Sequence, residues 1–138
     1  MEIKSQFHVN NKLFTYALIE LIAGKDRDAL LKLFDGYHKI AKEKFAEELT
    51  KLGIKDSHID ILNVLCGKDI AQLRSFTASS PAAQDALDKL EAVTQKLDAA
   101  GVSYIIDPFI VRGLDYYTGT VFETFVDGKI ELGSICSG

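Results

Sequence analysis

No stretch of the 138 residues is apolar for long enough to cross a membrane. About 18–20 residues are needed, and the longest candidate, Phe14 to Ala23, is short and holds Glu20. The opening "MEIKSQFHV" has no basic segment followed by an apolar one, so no secretory signal is read and a cytoplasmic protein is expected. Cysteine is scarce. Cys66 and Cys136 are the only two, and without a secretion signal they read as free thiols rather than a disulfide. His8, His38 and His58 do not fall at ligand spacing with either cysteine, so no metal site is expected. Positive charge is scarce as well. The net charge is −4, and residues 101–138 carry two basic and five acidic side chains. Residues 38–79, with seven basic and six acidic side chains, come nearest to a basic footprint. Composition therefore argues against non-specific nucleic-acid binding.

What is present is ordinary for a globular chain, at 47% hydrophobic and 26% charged residues, with room for one domain or for a core and a small appendage. Ser5 to Val9 reads as a strand stopped by Asn10-Asn11, and Leu13 to Leu21 as a helix. From Asp26, apolar residues at Leu30, Phe34, Tyr37, Ala41, Phe45, Leu49 and Leu52 recur at helical spacing, with Gly36 as a break and Gly53 as the closing residue. Ser57 with Asp60 reads as a cap for a short helix ending near Gly67. Phe76 to Ser80 reads as a polar link. Ser80-Pro81 opens a long helix whose apolar stripe is Leu87, Leu90, Val93, Leu97 and Ala100, closed by Gly101.

After Gly101 the residues become β-branched and aromatic. Strands are expected at about 5–10, 103–111, 119–127 and 129–136, forming one antiparallel sheet in which the last three make a meander, with the helix at 81–100 packed near it. Asp127-Gly128 is read as the hairpin turn. The class is α+β. Such a sheet has open edges, and the closing "GSICSG" is a turn that leads nowhere, so the chain reads as a piece of a larger protein.

One stretch stands apart: "IVRGLDYYTGTVFETFVDG", from Ile110 to Gly128. Singly, its polar residues suit a surface charge, a strand face or a turn. Together they suit a site. Arg112 offers a planar fork for carboxylate or phosphate oxygens, and Gly113 clears the backbone beside it. Tyr116 and Tyr117 offer aromatic walls with hydroxyls. An anion clamp four and five residues from two such walls could hold a small aromatic or heteroaromatic acid.

"VRGLDYYTGTVFE" closely resembles a signature of the histidyl-tRNA synthetase family, class II enzymes that join histidine to its tRNA. "GSICSG" is similar to the start of a second signature, "FHVNN" with its helix to the segment after motif 2, and "LFDGYHKIAKEKFAEEL" more loosely to the approach to a helical insertion. The resemblance implies a partial class II antiparallel sheet carrying that insertion. It divides the chain into a catalytic-core segment at 1–37, the insertion and return helix at 38–100, and catalytic-core strands at 101–138. It implies that Arg112 meets the reacting carboxylate and α-phosphate, and that Tyr116 and Tyr117 border the histidine pocket. Structural roles are expected for Asp115 and Glu123. The parent would be a homodimer that uses histidine, tRNA(His) and ATP with Mg2+ to make histidyl-adenylate and then histidyl-tRNA.

Motifs 1, 2 and 3 are absent from the chain, so by itself it is expected to be inactive and to hold no cofactor. Two other readings stand beside this one. The first is a non-catalytic regulatory subunit of ATP phosphoribosyltransferase, which the intact signature and the insertion disfavour. The second is an RNA-binding module. The near-balanced charge of the helical segment favours neither direct RNA contact nor a solvated spacer.

Overall fold

The computed structural model describes residues 5–22, 26–111, 119–126 and 136–137. Strand β1 (Ser5–Asn11) runs straight into helix α1 (Lys12–Ile22). The turn is sharp because the Asn11 side chain accepts the Leu13 N–H at 2.9 Å, supplying a partner for one of the unpaired donors at the helix start. Helix α2 (Arg27–Asp35) and helix α3 (Lys42–Lys51) are separated at Gly36 by a 3-10 turn, Tyr37–Lys39. The expected break at Gly36 is therefore present. Gly53, just past α3, has φ +81, a conformation that side-chain-bearing residues rarely adopt.

Helix α4 (Asp56–Leu62) departs from the expected cap. It begins before Ser57, with Lys55 at the cap position and no side-chain cap bond, so Ser57 lies within the first turn. A helix not anticipated ahead of the Phe76–Ser80 link, α5 (Ile70–Phe76), carries the better signal. Asp69 accepts the Gln72 N–H while the Gln72 side chain accepts the Asp69 N–H, a reciprocal capping box. Helix α6 (Pro81–Ala99) starts as expected, with the Ser80 hydroxyl accepting from Ala83 N at 3.1 Å and proline in the first turn.

The sheet among the described residues has the order β2-β1-β3-β4, with β2 at Ile105–Ile106, β3 at Thr120–Val126 and β4 at Cys136–Ser137. Two expectations are corrected here. Strand β2 pairs parallel to β1, not antiparallel. It is also not the neighbour of β3, because β1 lies between them, so the final strands do not form a simple meander. Residues 12–104 supply the long crossover that a parallel pair requires. The expected strand at 103–111 is only two residues long because Asp107-Pro108-Phe109 turns. Phe109 N donates to the Asp107 carboxylate at 3.0 Å and Ile110 N to the Asp107 carbonyl at 3.2 Å. The β1–β3 and β3–β4 pairs are antiparallel, as expected of the sheet, though of the strand expected at 129–136 only Cys136 is described, in β4 with Ser137.

Helix α6 packs on α1, α5 and β1. A single buried cluster runs from Val9 through Phe14, Leu18, Phe34, Phe45, Leu62, Leu73 and Leu90 to Phe109, so the helices and the sheet share one core. Its centre is aromatic. The Phe109 ring stacks on Tyr37 with centroids 3.7 Å apart and meets Phe45 edge-on at 5.6 Å.

Candidate functional site

Arg112, Tyr116 and Tyr117, with Gly113 and Asp115, lie outside the described residues, as do Asp127-Gly128 and residues 129–135. The residues on either side of 112–118 are described, Ile110 on the leading side and Gly119 on the trailing side, and both are tied to the β1–α1 corner. On the leading flank, the buried Asn10 amide donates to the Ile110 carbonyl at 2.9 Å and to the Thr15 hydroxyl at 2.8 Å. The Thr15 hydroxyl in turn donates to the Pro108 carbonyl at 2.6 Å. On the trailing flank, Lys12 N donates to the Gly119 carbonyl at 3.0 Å. Gly119 has φ +76, and a Cβ there would come within 3.2 Å of both Asn11 Oδ1 and Leu13 Cγ. Backbone conformation and close approach both call for glycine at this position. Asn11 thus caps the helix, Asn10 holds the leading side of the signature stretch, and the Lys12 N–H holds the trailing side.

Beside this corner lies a polar cluster that sequence spacing did not indicate. Asp107 Oδ2 is 2.7 Å from His8 Nδ1 and 2.6 Å from His38 Nε2. An ionised carboxylate only accepts, so each facing ring nitrogen donates. His8 and Asp107 are buried, and His38 is partly exposed. Complete burial pushes the Asp107 carboxyl up, but the hydrogen bonds and charges of His38 and His8 outweigh it and hold the group at about 2. Burial pushes the Cys66 thiol well above its ordinary range, with the Asp107 charge and a hydrogen bond to that carboxylate adding to the effect. In the metal-free chain this environment favours the neutral thiol over the thiolate. Tyr37 is pushed up to about 12 by burial, then by Cys66 and Asp107.

Glu123 sits on β3 directly opposite His8, and burial followed by the Asp107 charge raises its carboxyl above the usual range. Local structure explains how distant residues meet. Gly67 N donates to the Ile106 carbonyl at 2.9 Å, which brings Cys66 alongside Asp107. Stacking of Tyr37 on Phe109 places His38 over the same carboxylate. His58 is on α4, edge-on to Phe76, and takes no part.

The sequence matches the histidyl-tRNA synthetase family model over residues 7–135. The chain belongs to the histidyl-tRNA synthetase family. A histidine–tRNA ligase from Clostridium tetani is 34% identical over 139 residues, covering 94% of this chain and 32% of the relative. Another from Clostridium acetobutylicum is 32% identical, covering 96% and 33%. The chain thus spans about a third of the length of the curated relatives it matches. A crystal structure of histidyl-tRNA synthetase from Nostoc sp. PCC 7120 superimposes with a TM-score of 0.73 at 28% identity, covering 98% of this chain and 35% of that one. A Bacillus halodurans protein described as an ATP phosphoribosyltransferase regulatory subunit/histidyl-tRNA synthetase gives 0.72 at 21% identity, a likeness of fold alone. The α+β class read from the sequence is that of the histidyl-tRNA synthetase family. Among the described residues, no helix is long and apolar enough to cross a membrane.

Proposed function

We propose that this chain supplies one wall of the active site of a histidine–tRNA ligase, which activates histidine with ATP to histidyl-adenylate and transfers it to tRNA(His). The observation that carries the reading is the family match across the signature stretch, with both flanks of that stretch fastened to one buried corner. A site that positions reacting groups needs such rigid support. Arg112 is assigned to the carboxylate and α-phosphate, where charge develops as the carboxylate of histidine attacks ATP. Tyr116 and Tyr117 are assigned to the imidazole pocket. ATP enters as its Mg2+ complex, the ligase is a homodimer, and it works in the cytoplasm. Residues 38–100 form the helical insertion and return helix between the core segments 1–37 and 101–138.

Histidine-dependent pyrophosphate exchange tests the proposal. The 138-residue chain alone should show none, because the class II motifs that hold ATP are not in its sequence. In a ligase carrying this sequence, Arg112→Ala should lower kcat on the order of 10²-fold or more. Tyr117→Ala should chiefly raise the KM for histidine, and Tyr117→Phe should do so less. If Arg112→Ala left kcat intact and only raised the histidine KM, its assignment to the reacting centre would be wrong.

A further inference from the structure

From the meeting of His8, His38, Cys66 and Asp107 we infer a binding site for a zinc-like divalent cation. One donor atom from each of the four side chains lies within 4.8 Å of all the others. The linear spacing of these residues gave no sign of a metal site. The fold brings them together from β1, the 3-10 turn, the loop after α4 and the end of β2.

Two imidazole nitrogens, one thiol sulfur and one carboxylate oxygen are the donor types of zinc, and they are a poor set for magnesium or calcium, which prefer oxygen throughout. Bonds of about 2.0–2.3 Å place tetrahedral donors roughly 3.3–3.7 Å apart, within the span of the cluster. The present separations of Oδ2 from the two ring nitrogens, 2.7 and 2.6 Å, are hydrogen-bond lengths, so the donors must spread slightly around an ion. His38 and Cys66, both partly exposed, provide the yielding side and the way in.

The surroundings already orient the ligands. Asp107 Oδ1 is held by Phe109 N at 3.0 Å, which leaves Oδ2 directed at the cluster, as outer partners do in metal sites. The Tyr37 ring packs edge-on to His38 at 5.0 Å. On binding, the proton each imidazole now directs at Oδ2 moves to its other ring nitrogen or to solvent, freeing a lone pair, and the Cys66 proton leaves to solvent. The bound ion is then held by two neutral rings and two anions, so its charge is balanced. It fastens the helical segment to the strand end that leads into the signature stretch.

Co2+ is the probe. Titrated into the chelator-treated, reduced chain, it should bind at one ion per chain, with visible bands of tetrahedral intensity and a near-ultraviolet sulfur-to-cobalt charge-transfer band. Cys66→Ser, nearly isosteric, should abolish the charge-transfer band and weaken Zn2+ competition by at least about 100-fold, more than loss of an outer partner costs. Cys136→Ser should leave both unchanged. In the unaltered chain, Zn2+ should slow alkylation of Cys66, mapped by peptide mass, which needs no variant to fold. Absence of saturable one-to-one binding would overturn the inference. So would a charge-transfer band that survives Cys66→Ser or follows Cys136, or alkylation of Cys66 indifferent to Zn2+.

Discussion

The polar contacts at the β1–α1 corner and those of the helical segment between Lys42 and Ala99 are built in opposite ways. At the corner, beside the local Asn11–Leu13 and Asn10–Thr15 bonds, three contacts join distant parts of the chain: His8 to Asp107 across 99 positions, Asn10 to Ile110 across 100, Thr15 to Pro108 across 93. All three are buried. In the helical segment most polar contacts close within a turn, and many face water, as in Lys44–Glu48, Lys51–Glu48 and Asp69–Gln72. Water can replace a partner lost from the second region. It cannot reach most of the first, so one deletion there strands a buried donor or acceptor.

The largest expected effect follows from that asymmetry. Asp107→Ala removes the acceptor shared by a buried histidine, a partly buried one and the Phe109 N–H, and should cost about 3–5 kcal/mol in urea unfolding of the metal-free chain. A loss under about 1 kcal/mol would erase the distinction between the regions. The same carboxyl sets a pH dependence. Its folded value of about 2 lies below the ordinary 3.8, so its contribution is whole above about pH 4 and is lost as the pH falls toward 2. Unfolding midpoints that stayed level across that window in the unaltered chain would contradict the pairing.

Gly119→Ala comes next. It combines a left-handed backbone with close contact to Asn11 and Leu13 and should cost about 1–3 kcal/mol. Ser80→Ala removes a helix cap and should cost about 1 kcal/mol. Both are read from denaturant midpoints, and a Ser80 variant costing more than Gly119→Ala would invert the order. Smallest is Lys44→Ala, which removes only an exposed ion pair to Glu48 and should leave the midpoint unchanged within error.

What the sequence disclosed follows the same division. Ser80-Pro81, Gly36 and Gly53 act through neighbours a few residues away, so their meaning is written locally and the structure repeats it. Ser57 shows the limit even there, since a plausible cap residue was passed over for a start at Asp56. The parallel placement of β2 was not legible, because a β-rich texture names no partner and the Asp107-Pro108 turn cuts the strand short. Nor was the His8–His38–Cys66–Asp107 cluster, whose four members lie in four separate segments brought together by the β1–β2 pairing, the Gly67–Ile106 bond and the Tyr37–Phe109 stack. The signature residues Arg112, Tyr116 and Tyr117 were legible by chemistry and resemblance, while the corner that supports their flanks was visible only as "NN".

That the corner serves to hold the signature stretch is tested most directly by comparing Gly119→Ala with Ser80→Ala in a ligase carrying this sequence. Both substitutions weaken the fold, but only Gly119 lies in the signature stretch, at the point where the corner holds it. Histidine-dependent pyrophosphate exchange should fall by roughly 10- to 100-fold in kcat/KM for Gly119→Ala, as expected when reacting groups are displaced by a fraction of an ångström to an ångström. It should stay within about twofold for Ser80→Ala, measured well below either melting temperature. Equal effects of the two substitutions, or full exchange in the Gly119 variant, would contradict the account.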